Sequence, residues 1–125
     1  MRAILIFAAL SGVFAVALGA FGAHGLKAVL SQTMLKTFET GVRYQFFHTL
    51  AIFAMPALIS YAEEKWLKRA MIAFAAGIIL FSGSLYLLST LSWTFLGPVT
   101  PLGGLCFILG WGLVATGLIK GNANA

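Results

Sequence analysis

Residues 3–23 read AILIFAALSGVFAVALGAFGA, a run of 21 residues without a formal charge. A hydrocarbon core of about 30 Å is crossed by roughly 20 helical residues, since each residue advances an α-helix by about 1.5 Å. A signal peptide has a shorter apolar segment, about 7 to 15 residues, and is followed by polar sequence. Further apolar segments follow here instead, so the run predicts a transmembrane helix.

The rest of the chain repeats this pattern. Three more apolar stretches cover residues 44–61, 70–91 and 101–119. Hydrophobic residues make up 61% of the 125 residues and charged residues 9%. The charged residues are too few to cover the surface of a soluble globular protein of this size. The sequence therefore predicts an all-α fold, a single integral-membrane domain over residues 1–125 folded as an up-and-down four-helix transmembrane bundle. Pro56 is expected to kink the second helix near its inner end.

The first connection, residues 24–43, is longer than the others and has a helical pattern. Its apolar residues recur at steps of three and four: Leu26, Val29, Leu30, Met34, Leu35, Phe38 and Val42. This amphipathic first loop is predicted to lie in the outer interface or to extend the second helix outward. Glu39 and Arg43, four residues apart, are expected to form a modest ion pair.

Small residues mark where helices are expected to touch. They recur as Ala8, Gly12, Ala15, Gly19 and Ala23 on the first helix and as Gly103, Gly110 and Gly117 on the fourth. Lipid supplies no hydrophobic force between helices, so close packing must hold them together. We therefore expect Gly110 to contact another backbone. Thr100 is a candidate N-cap of the fourth helix, and Trp111 is expected to pack against lipid or a helix.

The distribution of basic residues predicts the orientation. With four spans, the N-terminus, the second loop and the C-terminus share one side of the membrane. That side carries Arg2, Lys65, Lys68, Arg69 and Lys120, and the opposite side carries Lys27, Lys36 and Arg43. Because cytoplasmic segments are enriched in Lys and Arg, both termini are predicted to be cytoplasmic. The basic residues form no run or stripe, so no nucleic-acid partner is predicted.

Polar side chains inside the predicted spans concentrate in the outer half of the membrane. With Tyr44 at the outer end of the second helix, His48 lies about 6 Å inward, and Tyr86 and Ser82 lie about 7.5 and 13 Å below Leu91. His48 and Tyr86 are thus expected at similar depth. These groups either line a binding pocket or form hydrogen bonds between neighbouring helices, each contributing about 0.6 kcal/mol.

Metal and enzyme chemistry find little support in the sequence. His24 and His48 are expected at similar depth on adjacent helices, but two histidines make an incomplete first shell for zinc, so no metal and no cofactor is predicted. Cys106 is the only cysteine, and the chain has no aspartate. Ser82 or Ser84 as a nucleophile would need a base held by a third group, which the sequence does not offer. Enzymatic activity is therefore not favoured.

Five strings occur in order along nearly the whole chain. They are GAFGAH at 19–24, YQFFHTL at 44–50, LFSGSLY at 80–86, TPLGG at 100–104 and GW at 110–111. Together they resemble the YgdD-like family of small bacterial inner-membrane proteins, a domain of unknown function that is similar to a eukaryotic small transmembrane protein. The resemblance implies a multi-span protein of the inner (cytoplasmic) membrane and no particular reaction, substrate or cofactor. The candidate ligand-binding residues at its motif positions are His24, Tyr44, Gln45, His48, Ser82, Ser84, Tyr86 and Thr100.

Two functions follow as predictions. The first is binding or transport of a small polar or amphiphilic ligand, such as a lipid headgroup, at the outer-half polar cluster. The alternative is a structural or partner-binding membrane protein without a small-molecule site. The expected partner is the lipid bilayer, joined by further copies of the chain or by another membrane protein.

Overall fold

The computed structural model describes residues 1–121, and no β-strand occurs among them. Its five α-helices are α1 (Arg2–His24), α2 (Gln32–Ala54), α3 (Glu64–Gly77), α4 (Gly83–Leu91) and α5 (Val99–Lys120). A π-helical turn, Ile78–Ser82, joins α3 and α4 into one continuous helix, Glu64–Leu91. The predicted all-α fold is confirmed, and residues 122–125 of the predicted domain lie outside the described residues.

Within residues 1–121, three helical segments are long and apolar enough to cross a membrane. They are Arg2–His24, Glu64–Leu91 and Thr94–Lys120. α2 is as long as α1, at 23 residues, but its first half carries Lys36, Glu39 and Arg43. These three side chains are exposed. They contribute to the lower hydropathy of α2, which is not one of these three segments.

The second part of the predicted amphipathic segment, from Gln32 onward, is the first half of α2 and not a separate interfacial helix, whereas residues 26–30 lie in turns and bends before it. Ser31 caps this helix, since its Oγ accepts a hydrogen bond from the Met34 backbone N–H at 3.2 Å. Phe38 is 2% exposed and packs between the backbone of Gly22 on α1 and the ring of Tyr86 on α4. Burial of this apolar face explains why the segment continues α2.

The predicted ion pair between Glu39 and Arg43 is wrong. Among residues 1–121, the ion pairs are Lys65–Glu63 at 3.8 Å and Lys68–Glu64 at 3.9 Å. Both pairs lie at the start of α3 and involve largely exposed side chains. Such pairs contribute little to stability, about 0 to 1 kcal/mol each.

The ends of the central helices differ from the predicted span boundaries. α2 gives way to a 3₁₀ turn, Met55–Leu58, so the helical segment ends three residues before the predicted limit at residue 61. Pro56 lies in this turn and has no backbone N–H to continue the α-helical ladder. α3 begins at Glu64, six residues before the predicted start at residue 70. Its first turns therefore carry the charged residues that the sequence assigned to a loop.

Neighbouring helices pack antiparallel. α1 packs mainly on α2, α2 packs on the α3–α4 helix, and α3 packs mainly on α5. Ser11 of α1 faces Thr49 of α2, whereas Gly22 faces Phe38, so the two helices run in opposite directions. The fully buried side chains include Ile52, Met55, Leu67, Met71 and Phe74. Large apolar side chains on the outward faces, such as Phe14, Ile108 and Ile119, are more than half exposed.

Glycines on α5 allow close helix contacts. Gly103, Gly110 and Gly117 are all buried, as the sequence predicted. A Cβ at Gly103 would lie 2.3 Å from the Phe81 backbone nitrogen, and one at Gly110 would lie 2.5 Å from the Phe74 ring. Gly110 therefore faces a ring rather than the backbone we expected.

The small-residue seam of α1 agrees only in part with the prediction. Ala8 and Ala15 are fully buried, and Ser11 and Gly22 complete the buried face. Gly12 and Gly19 are partly exposed and Ala23 is exposed. The buried residues are separated by three, four and seven residues, which places them along one face of the helix.

Candidate functional site

Gln45 is the centre of a polar network that joins α1, α2 and α4. Its Nε2 donates to the Ser11 carbonyl oxygen at 2.9 Å and lies 3.1 Å from Ser11 Oγ. The Tyr86 hydroxyl donates to Gln45 Oε1. Ser11 Oγ also pairs with Thr49 Oγ1 at 2.8 Å. One buried amide side chain thus connects three helices.

Ser82 makes a second tie between α2 and the α3–α4 helix. It is the last residue of the π-helical turn, and its Oγ donates to the Gly41 carbonyl oxygen at 2.7 Å. Gly41 has no side chain, and a Cβ there would lie 2.9 Å from the Tyr86 ring. The missing side chain allows Tyr86 and Ser82 to approach the same stretch of α2.

Ser84 and Thr100 connect α4 to the first turn of α5. Their hydroxyl oxygens are 2.6 Å apart, and Ser84 Oγ also donates to the Phe81 carbonyl oxygen at 2.9 Å. α5 begins at Val99 and its N-terminus has no side-chain cap, so the prediction of Thr100 as an N-cap is wrong. Thr100 uses its hydroxyl between helices instead.

His48 is hydrogen-bonded at both ring nitrogens. Nδ1 lies 2.7 Å from the Tyr44 carbonyl oxygen, which can only accept, and Nε2 lies 3.1 Å from the Trp111 Nε1–H donor. These contacts require a neutral imidazole with its proton on Nδ1. A protonated ring would set a second N–H against that of Trp111. Neither nitrogen is left to bind a metal or an external ligand.

Aromatic rings surround the His48 imidazole. Phe107 stacks on it, with centroids 3.6 Å apart and planes 11° from parallel, and Phe74 lies at 5.4 Å. Tyr44 stacks at 6.0 Å. This side of the molecule opens as a groove of about 510 Å³ between α2 and α5. Its lining residues are Tyr44, Phe47, His48, Phe81, Gly104, Phe107, Ile108 and Trp111.

A second groove, of about 390 Å³, lies between α1 and the α3–α4 helix. Ser11, Gln45 and Tyr86 form its polar part, and apolar residues such as Phe14 and Ile79 form its walls. Among residues 1–121, no buried side-chain nitrogen or oxygen lacks a hydrogen-bond partner. The polar part of this groove is therefore already satisfied within the protein.

The structure does not bring all predicted site residues together. His24 is exposed at the end of α1, thirteen residues beyond Ser11 and about 20 Å further along the helix. His48 lies beside Thr49, the partner of Ser11. The prediction that the two histidines share one depth is therefore wrong.

Tyr86 is not at the depth of His48 either. Its ring lies against Phe38 and Gly41, which are ten and seven residues before His48 on α2, about 15 and 10 Å along the helix. Only its hydroxyl reaches Gln45. The prediction took Tyr44 as the outer end of α2. Because α2 begins three turns earlier, every depth counted from Tyr44 is displaced.

Sequence reasoning missed several members of these clusters. Ser11 and Thr49 complete the Gln45 network, and Trp111 donates to His48 although it was expected only to pack. Ser11 is the one hydroxyl residue in the apolar run 3–23, which is the signal that singles it out. Nothing in the sequence pairs Trp111 with His48, because that contact depends on helix register.

Metal ligands are not grouped in the part of the chain that the structure describes. No three His, Cys, Asp or Glu side chains there come together as a metal site. Cys106 is free and partly buried on α5. The chemistry of the region around His48 and Gln45 is therefore hydrogen bonding and aromatic packing.

Comparison with known proteins gives consistent matches. The family model described as "Protein of unknown function (DUF423)" matches residues 18–104. A UPF0382 membrane protein of Haemophilus influenzae is 43% identical over 95% of both chains. The UPF0382 inner membrane protein YgdD of Escherichia coli is 42% identical over 95% of this chain and 91% of its own. The UPF0382 membrane protein YwdK of Bacillus subtilis is 39% identical over 96% of this chain and 98% of its own.

These matches extend over nearly the whole chain and confirm the resemblance to the YgdD-like family. No solved structure matches the chain. The relatives' names agree with the long apolar helices in describing membrane proteins. The chain therefore belongs to the DUF423 family, among the UPF0382 membrane proteins.

Proposed function

We propose that this protein binds an amphiphilic, lipid-like molecule in the groove between α2 and α5. The observation that carries the proposal is the size and lining of that groove, about 510 Å³ walled by aromatic rings around His48. Ligand sites in proteins are typically concave, mostly apolar and about 300 to 1,000 Å³ in volume. A groove that faces the bilayer is reached most readily by a molecule dissolved in it.

The lining indicates which part of the ligand enters the groove. Both His48 nitrogens are engaged by Tyr44 and Trp111, so no strong polar group is free to bind a headgroup there. The remaining walls, such as Phe47 and Ile108, are apolar. An acyl or isoprenoid chain or an aromatic ring fits these walls, with the polar end of the ligand outside the groove.

Binding fits better than transport. The polar groups between the helices are hydrogen-bonded to one another through Ser11, Gln45 and Tyr86, and rings such as Phe74 and Phe107 fill the adjacent space. Opening an aqueous path would break these contacts. We therefore assign the polar residues to helix register and the groove to the ligand.

Filling the groove tests the proposal. Gly104 lines it, and a Cβ there would meet only the Phe81 ring, at 3.9 Å, so Gly104→Leu starts without a backbone clash and adds a side chain at the groove wall. Native mass spectrometry after mild detergent extraction should detect an amphiphile bound to the wild type and not to Gly104→Leu. Equal retention by both proteins, or a wild type without bound amphiphile, would refute the groove as a site.

Two glycines provide matched controls. Gly112 is on the same helix with no atom within 4 Å of its Cβ position, and Gly83 lines the second groove with equal space. Gly112→Leu should retain the ligand as the wild type does. Gly83→Leu should also retain it, and loss in Gly83→Leu alone would move the site to the second groove.

The second candidate function is a structural or partner-binding membrane protein. The satisfied hydrogen bonds around Gln45 favour it, because they stabilise the helices without leaving a group for a ligand. Copies of this chain or another membrane protein would then cover the outward faces, which carry Phe14 and Ile108. The same mass spectra report copy number, and a stable oligomer without bound amphiphile would favour this alternative.

For the topology we propose four spans in the inner membrane with both termini in the cytoplasm. α2 packs along both α1 and the α3–α4 helix, which supports a span although its outer half is charged. Lys36 and Arg43 lie on its exposed face, from which long side chains reach the headgroups.

Single cysteines at Ser92 and Glu64 in a Cys106-free background test the orientation. An external reagent should label position 92 in intact cells and leave position 64 unlabelled; the reverse would invert the topology.

A further inference from the structure

Trp66 holds the first turn of α3 against the last turn of α5. A Cβ at Gly117 would lie 3.0 Å from the Trp66 Cβ, so the glycine lets the indole approach the α5 backbone. The Glu63 backbone N–H donates to the Gly117 carbonyl oxygen at 3.3 Å. Trp66 Nε1 donates to Glu63 Oε2 at 2.7 Å, which fixes the orientation of the indole. The ring is therefore a rigid platform at this end of the molecule.

Three cations surround this platform. The Arg69 guanidinium lies 4.9 Å from the centre of the Trp66 ring, and the Lys65 and Lys120 ammonium groups each lie 5.7 Å from it. Lys65 and Arg69 come from α3, whereas Lys120 is the last residue of α5. Side chains from two helices thus place three positive charges around one ring.

The carboxylates of this region leave two of the cations unpaired. Glu63 pairs with Lys65 at 3.8 Å and Glu64 pairs with Lys68 at 3.9 Å. Arg69 and Lys120 form no ion pair within the described part of the chain, and both are exposed. The two charges lie 4.9 and 5.7 Å from the centre of the same ring, so they repel one another, and this repulsion is weakly screened beside a low-dielectric bilayer. An anion bound between them would remove that repulsion.

We propose that Arg69 and Lys120, arranged on Trp66, bind the phosphate of an anionic phospholipid headgroup. Guanidinium groups bind phosphate oxygens through two parallel hydrogen bonds, and lysine adds a compact second charge. Tryptophan is enriched at the membrane–water interface, where headgroups lie. Leu118 and Ile119, next to Lys120, are exposed apolar side chains that would contact the lipid chains. Basic pockets between transmembrane helices are a known mode of anionic lipid recognition.

This site is separate from the groove between α2 and α5. The groove ends at Trp111, six residues before Gly117, and shares no residue with the Trp66 platform. It therefore goes beyond the proposed groove ligand, and each site has its own variants. Gly104→Leu should leave phosphatidylglycerol binding at the platform unchanged.

Native mass spectrometry with added lipid tests the headgroup site. The purified protein in mild detergent is titrated with phosphatidylglycerol or, separately, with zwitterionic phosphatidylethanolamine. The wild type should bind phosphatidylglycerol more tightly than phosphatidylethanolamine. Arg69→Gln and Lys120→Gln should each weaken phosphatidylglycerol binding about fivefold, the effect of roughly 1 kcal/mol per basic residue near a membrane surface. Both side chains are exposed, so the variants should retain the wild-type melting temperature.

The matched control removes the same charge from the other end of the molecule. Lys27→Gln with Lys36→Gln lowers the net charge by the same amount as Arg69→Gln with Lys120→Gln, and should retain wild-type binding. Equal weakening in both double variants would reduce the effect to net charge and overturn the site. So would unchanged binding in Arg69→Gln with Lys120→Gln, or equal affinity for the two lipids. A thermal shift with inorganic phosphate as large as that with phosphatidylglycerol would overturn the assignment to a lipid.

Discussion

The first and last helices, α1 and α5, are attached to the two central helices by different kinds of contact. α1 is joined to α2 through hydrogen bonds, in which Gln45 reaches Ser11 and Ser11 reaches Thr49. α5 is joined to the α3–α4 helix mainly by close packing, with Gly103 against the Phe81 backbone and Gly110 against the Phe74 ring, beside the Ser84–Thr100 hydroxyl contact. The α1–α2 contact depends on polar side chains, whereas the contact of α5 depends mainly on glycines, which have no side chain.

The difference shows two ways to join helices where apolar burial provides no net force. An interhelical hydrogen bond contributes about 0.6 kcal/mol on average in membranes and at most about 1.7. Removing a glycine from a tight contact forces whole helices apart, because the added atom has no space. We therefore expect the packed contact to be more sensitive to substitution than the hydrogen-bonded one.

The largest loss of stability is expected from a substitution at Gly103. A methyl group there would lie 2.3 Å from the Phe81 nitrogen and 2.7 Å from its Cα, and backbone atoms cannot swing aside. Gly103→Ala should destabilise the protein by about 3 kcal/mol or more, at or above the usual range for overpacking. The measurement is thermal unfolding in detergent, together with monodispersity on size exclusion.

Gly112 is the control for this substitution, because its Cβ position is open. Gly112→Ala should leave the melting temperature unchanged or raise it, since alanine has the higher helix propensity. If Gly103→Ala behaved as Gly112→Ala does, the close approach of α5 to Phe81 would be incorrect.

A smaller effect is expected at Gly110, where the obstacle is a side chain. A Cβ would lie 2.5 Å from the ring of Phe74, which is fully buried. A smaller residue at position 74 would leave space for this Cβ. Gly110→Ala should cost about 2 kcal/mol, within the range for overpacking. The cost should be smaller when Phe74→Leu is also present, because the clash is removed.

A double-mutant cycle measures this coupling. Melting temperatures of the two single variants, the double variant and the wild type give the interaction free energy between positions 74 and 110. Additive effects would show that Gly110→Ala acts through something other than the Phe74 ring.

The hydrogen-bonded contact should respond more weakly. Gln45→Leu keeps a similar shape but removes the bonds to Ser11 and Tyr86, and should cost about 1 to 2 kcal/mol. Tyr86→Phe removes one of these bonds and should cost about 0.6 kcal/mol. Unfolding of both variants is compared in the same detergent. A loss at Gln45 equal to that at Gly103 would erase the difference between the two contacts.

The sequence predicts the packed contact better than the hydrogen-bonded one. A seven-residue recurrence of glycine specifies one helix face whatever that helix meets, so Gly103, Gly110 and Gly117 were found correctly. The start of α2 was not found, because an amphipathic period fits an interfacial helix as well as an extension. Packing of Phe38 decides between them, and that packing is a tertiary contact.

Partners across helices depend on register, which the sequence does not specify. Two features set it here, the Ser31 cap that starts α2 and the π-helical turn Ile78–Ser82. A π turn inserts an extra residue into the α-helical ladder and rotates everything after it. The sequence therefore identifies polar residues inside the helices, whereas the pairs Gln45–Tyr86 and His48–Trp111 are seen only in the structure.

His48→Gln is expected to have a small effect on stability, comparable to that of Tyr86→Phe, and separates the two candidate functions. Glutamine retains one donor and one acceptor for Tyr44 and Trp111 but loses the stacking on Phe107 at 3.6 Å. The expected cost is about 0.5 to 1 kcal/mol, the value of an aromatic pair beyond its buried area. Melting temperature and retained amphiphile are measured on the same preparation. The two candidate functions predict different outcomes. If His48 only fixes helix register, the small loss of stability is the whole effect. If the groove binds a ligand, His48→Gln should also retain less amphiphile, because the imidazole that lines the groove is gone. Wild-type stability with wild-type retention would exclude His48 from the site and leave the hydrogen-bonded scaffold as the better account of this residue.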